Sequence, residues 1–298
     1  MKTRIAALGT VAALAVAGSV ALAQQVPAQF VVSGKAAEKI MDYTTINLAT
    51  AERIAEVCER EAAKEGVQIS ISILDNDGND VYKDRMDGQG YLNIVTADMK
   101  AKTALMSRTP SKVRMNEVLK DPEQMELRQY QLGMFPNSGG LPIVVNHQLI
   151  GVVGVGGSAP RVPVWSDEIC AHRALTEVIG PSVPPLIEAL PRGQRAPEKV
   201  PVTKFQATMP PKSSLPAEWV VGGKGAANVY DANQISLGAA KKIAKACREW
   251  AASKGGAMSL YIINNAGEFV HMERMDGQDR KSTRLNSSHG YISYAVFC

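Results

Sequence analysis

The sequence predicts an α+β fold built on an antiparallel sheet. Between residues 44 and 89 a helix-period apolar stripe gives way to strand-period alternation, and a second hairpin pattern follows at 139–157. The helix-and-hairpin unit then recurs, with Ile46–Gln89 answered by Ile235–Gln278.

Each element has its own signal. Ala51, Ile54, Ala55, Cys58 and Ala62 form one stripe at helical spacing, which predicts a helix from about Thr44 to Lys64 ending at Gly66. Val67, Ile69, Ile71 and Ile73 then alternate as a strand with one apolar face, "DNDG" turns the chain, and "NDVYKDRMDG" returns. Tyr91–Ser107 reads as a helix, and Val113–Leu132 as one or two short ones. "GGLPIVVNHQLIGVVGVGG" is a hairpin turning at Asn146-His147. Ser166 caps a last helix with Asp167 and Glu168 in its first turn, and Gly180-Pro181 ends it. These elements make one domain over 44–180.

The two copies align without a gap, and about 19 of 44 positions are identical. The stripe recurs as Ala240, Ile243, Ala244, Cys247 and Ala251. The proline-rich stretch 181–232 reads as an extended linker and 233–278 as a second, truncated domain of the same kind. Residues 279–298 resemble a translated sequencing adapter and are expected to carry no function. At the other end Lys2 and Arg4 precede the apolar run Ile5–Leu22 and Ala21-Leu22-Ala23, the pattern of a secretory signal peptide over 1–23. Export, to the periplasm or outside the cell, is the expectation, with no later stretch apolar enough to span a membrane.

The formal charge of +4 vanishes once the signal peptide and tail are set aside, and aromatic residues are 5% of the chain, so nucleic-acid binding is excluded as a class. Outside the tail stand Cys58, Cys170 and Cys247, an odd number, and Cys58 on its apolar stripe reads as a small buried hydrophobe. No Cys/His spacing suggests zinc, and no motif names a catalytic nucleophile.

Four motifs have both a plain and a functional reading. "LDNDGND" is a tight turn more readily than a calcium loop, because the second copy has "INNAGEF" there. "GVGGSA", followed by prolines, reads as glycines allowing close backbone approach rather than a dinucleotide loop. In "RMDG", Asp87 caps the next helix or pairs with Arg85, or else Arg85, Asp87 and Gly88 line a pocket. In "PNSGGLPI", the N–H groups of Ser138, Gly139 and Gly140 form a turn or hold a carboxylate. Among the histidines, His147 sits at a turn, His271 replaces Tyr82, and His172 is a rim residue or an axial ligand.

"ISISILDNDGNDVYKDRMDG", "DMKAKTAL", "GGLPIVVNHQLIGVVGVGG" and "SDEICAHRAL" together resemble the GlcG/HbpS-like haem-binding family. The resemblance covers 46–179 fully and 235–278 as the shortened copy. It implies a profilin-like α/β/α sandwich with a five-stranded antiparallel sheet, a homo-oligomer, and a haem or related tetrapyrrole ligand with a redox-linked accessory role. The residues it carries over are Arg85, Asp87, Gly88, Lys100, Gly139, Gly140 and Pro142, with Lys100 or Arg85 pairing a propionate. The relatives' histidine near the first helix has no counterpart in 44–64. Two other readings stand beside it: an accessory or turnover factor for small hydroxy or keto acids, and an oligomeric scaffold without ligand.

Overall fold

The structure is a computed structural model and describes residues 26–34, 36, 44–120, 132–158, 164–180, 183–188, 213–229 and 232–278. The signal-peptide and adapter expectations lie outside the described residues. Helix α1 (Leu48–Lys64) begins where the Asn47 side chain accepts the Thr50 N–H, and it buries the predicted stripe. The cap, rather than the start of the apolar pattern at Thr44, sets its first residue.

Strands β1 (Ser70–Asp75) and β2 (Asp80–Arg85) pair antiparallel. Their turn is a carboxylate turn: Asp75 accepts the N–H groups of Asp77 and Asn79, and Gly78 takes φ 85°. Helices α2 (Tyr91–Ser107) and α3 (Ser111–Lys120) follow. Strands β3 (Gly140–Val145) and β4 (Gln148–Gly156) turn through Asn146 and His147 at φ 49° and 66°, the left-handed pair a two-residue hairpin demands. Helix α4 (Asp167–Val178) opens on Ser166, whose Oγ accepts the Ile169 N–H. The second repeat supplies α5 (Leu237–Ser253), β5 (Ser259–Ile263) and β6 (Phe269–Arg274).

All the strands join one antiparallel sheet in the order β3-β4-β1-β2-β6-β5. The expectation of five strands is therefore corrected to six. Strand β2 would otherwise end the sheet with a row of unpaired backbone groups, and β6 of the second repeat covers that row. Helices lie on both faces. Ile71, Ile73, Val153 and Val155 pack with α1 and α4, whereas Leu74 and Val152 pack with Ala101 and Ala104 of α2. Three glycines of β3 and β4 let α2 close on the sheet: a Cβ on Gly154 would stand 2.0 Å from Ala97 O, on Gly140 2.2 Å from Lys100 O, and on Gly156 2.7 Å from Asn93 O.

Cys58 is buried as its stripe predicts, but it is not a free thiol. It is disulfide-bonded to Cys170, tying α1 to α4 across a sequence separation of 112. The likeness of the repeats also reaches into the stretch read as linker. Val31 bridges Ile46, and Val220 bridges Ile235 at the corresponding positions.

Candidate functional site

The sequence-derived site residues fall into three places rather than one pocket. The first lies between α2, the β3–β4 hairpin and the start of α4. Lys100 is almost fully buried there and donates from Nζ to Asp167 Oδ2 at 2.8 Å and to Val155 O at 3.0 Å. Asp167 in turn accepts from the backbone N–H and hydroxyl of Ser158, and that hydroxyl accepts from Trp165 Nε1. Gly139 takes φ 120°, where a Cβ would strike Val155 O, Asp167 and Lys100. The Gly140 N–H goes to Ser111 Oγ and that of Ser138 to Asn137 Oδ1, while Pro142 is buried in β3 opposite Val152. Beside them Glu168 is buried and ion-paired with Lys112; burial raises its carboxyl above the usual range against the pull of that lysine. These groups answer one another.

The second place is the junction of the repeats, and it holds both "RMDG" segments. Asp87 Oδ1 accepts the Leu237 N–H at 2.7 Å, and its counterpart Asp276 accepts the Leu48 N–H at 3.0 Å. Each aspartate thus satisfies a first-turn donor of the other repeat's helix, not of the helix that follows it. Arg85 reaches to Phe269 O and Glu268 as well as Gln89 O, and Arg274 reaches to Asp75. Gly88 takes φ 81°, and the backbone from Asp87 to Gly88 comes so near Gly225 that a Cβ there would lie 3.0 Å away. A cavity of about 20 Å³, the size of one water, remains beside Arg274–Gln278.

The middle of this junction carries a buried charge cluster that the sequence reading missed. Asp84 Oδ1 meets His271 Nδ1 at 2.5 Å and its Oδ2 meets Lys241 at 2.8 Å; Lys241 also holds Glu59 at 2.7 Å. Arg248 bridges Glu52 and Glu273 at 3.3 and 3.1 Å, and the His271 ring stands edge-on to Tyr82 with centroids 5.4 Å apart. Burial and then neighbouring Asp84 push Glu59 up to about 8. Burial works to raise Asp84, but Lys241 and His271 outweigh it and hold it at about 2. Burial likewise opposes charge on His271, and Asp84 overrides that to bring it to about 9. The signal for these residues was available in the alignment: Glu52 and Glu59 correspond to Lys241 and Arg248.

The third place is on the outside of α1 and α4. His172 lines an open depression of about 390 Å³ with Glu61, Arg173, Thr176 and Glu177. Arg60 pairs with Glu177 at 2.5 Å, Arg53 with Glu177 at 3.3 Å and Arg173 with Glu61 at 3.7 Å. Partial burial lowers the His172 pKa below the ordinary imidazole value, favouring the neutral ring. His147 is exposed at its turn. Among the described residues no group of three or more His, Cys, Asp and Glu is arranged to hold a metal ion by itself, and no helix is long and apolar enough to cross a membrane.

The family model described as haem degrading protein HbpS-like matches residues 46–176. An uncharacterized 15.0 kDa protein of the dhaT–dhaS intergenic region of Citrobacter freundii is 30% identical over 140 residues, which are 46% of this chain and 94% of that protein. Among solved structures, Klebsiella pneumoniae ORFY is 30% identical, with 46% of this chain and 92% of that one covered at a TM-score of 0.39. A structure of HbpS is 26% identical, with 48% and 96% covered at a TM-score of 0.41.

Proposed function

The chain belongs to the HbpS-like family, and from that membership we propose that it is an exported haem-binding protein whose first repeat carries the ligand site. The family match over residues 46–176 carries the reading. Of the site residues drawn from the sequence, His172 is one that can ligate iron and that lies at an accessible surface. Lys100 is committed to Asp167, and Arg85 to the second repeat, whereas His172 offers an imidazole at an open surface, with its pKa lowered by partial burial. In this reading a ring nitrogen of His172 would ligate the iron, and Arg173, paired with Glu61 at 3.7 Å, would turn to a propionate. Bound haem would supply iron redox chemistry; the chain's own part is to hold and orient it. The signal-like run Ile5–Leu22 and the Cys58–Cys170 disulfide both favour an oxidising compartment outside the cytoplasm.

A haemin titration of the full chain in the Soret region tests this. The expected result is a saturable one-site shift that His172→Ala weakens by about tenfold or more, with Arg85→Ala near wild type. A saturable shift unchanged in His172→Ala would move the site elsewhere, and an unsaturable shift would remove haem as the ligand.

A further inference from the structure

The repeats meet through helix faces of opposite sign. Along α1 stand Glu52 and Glu59; at the equivalent places along α5 stand Lys241 and Arg248. The pairing crosses over, Lys241 to Glu59 and Arg248 to Glu52, as an approximate two-fold relation between the repeats requires. The strand register obeys the same relation: Tyr82 faces Glu273, Asp84 faces His271, and Lys83 faces Met272 at the centre.

We propose that this sign reversal makes the junction selective for an unlike partner: the first repeat accepts the second repeat of its own chain and rejects another first repeat. The geometry allows the alternatives to be written out. Two first repeats in this arrangement would set Glu52 against Glu59 on both sides and Asp84 opposite Tyr82. No Lys, Arg or His would stand where Lys241, Arg248 and His271 now stand, and Lys83 would face its own copy. Two second repeats would set Lys241 against Arg248 twice, with Glu273 left as the acid between them.

The "RMDG" caps do not discriminate, whereas Arg274 pairs with Asp75, whose counterpart in the second repeat is the neutral Asn264. Each "RMDG" aspartate caps the opposite helix through a backbone N–H, and every combination of repeats would retain that bond. Adhesion therefore comes from features the repeats share, and choice of partner from the features in which they differ. This conclusion does not depend on haem.

Amide hydrogen exchange of the full chain tests it, read at the β2–β6 ladder with the β1–β4 ladder as internal control. Glu52→Lys with Glu59→Arg makes both faces basic. Protection of β2 and β6 should fall by about tenfold or more while β1–β4 is retained. Adding Lys241→Glu and Arg248→Glu reverses the two helix-to-helix pairs, with Asp84, His271 and Glu273 left as they are, and should restore part of the protection. Unchanged protection in the first variant, or no recovery in the second, overturns the proposal. So does protection of the wild-type ladder that falls on dilution, because pairing would then be between chains.

Discussion

Lys100 looks in the sequence like a cation waiting for an anionic ligand, and in the structure it has already found an anion of its own. Its Nζ lies 2.8 Å from Asp167, a residue at the start of α4, and both are sealed beneath the β3–β4 hairpin. Removing one member of a buried pair strands the other charge, so Lys100→Met is expected to cost about 3 kcal/mol, read as a lowered urea midpoint, with haemin affinity unchanged. Weakened haemin binding without loss of stability would return Lys100 to the ligand site. The lysine was legible as a special residue of its helix, because a cation among Ala97, Ala101 and Ala104 breaks the apolar face. Its partner was not legible, because no periodicity links positions on separate elements. Asp87 gives the same lesson: the sequence suggested a helix cap, and the structure kept the role but exchanged the helix for Leu237's.

Helices α1 and α4 pack side by side on one face of the sheet, with Cys58 and Cys170 fully buried between them. The stripe Ala51-Ile54-Ala55-Cys58-Ala62 was enough to place α1 and its buried face, since a helix must turn its apolar side to the core. It could not reveal the disulfide, because an odd number of cysteines in the body leaves the pairing undefined. Replacing both with serine opens a long loop in the unfolded chain and should lower stability by about 2–4 kcal/mol in urea denaturation. An unchanged midpoint would show that the helices hold together without the bond. On the other face α2 rests on Gly140, Gly154 and Gly156, which confirms close backbone approach as the role of the "GVGGSA" glycines.

The described residues form one sheet shared by two unequal repeats, and the seam between them is sensitive to pH. The His271 pKa is raised from 6.5 to about 9, so its contribution is complete below 6.5 and is lost as pH rises through 9. Glu59, raised from 4.5 to about 8, acts in the same direction: it favours the folded state most below 4.5 and progressively less up to 8. Asp84, held down at about 2, contributes above its ordinary value of 3.8 and fails only toward 2. Stability is therefore expected to fall between pH 4.5 and 9, most steeply between 6.5 and 8 where both groups titrate, with the His271 part on the order of 3 kcal/mol. His271→Phe should make that fall shallower in urea titrations at pH 5, 7 and 9, leaving the Glu59 part, and an equally steep fall in the variant would assign the dependence to other groups. Local patterns were sufficient for the helices, hairpins, turns and the repeat itself, because period, cap and turn chemistry are properties of neighbouring residues. The sixth strand, the disulfide partner, the buried Lys100–Asp167 pair and the cross-repeat helix caps depend on which surfaces meet. That is settled when an open strand edge and opposite charges far apart in the chain are brought together, and no local pattern records it.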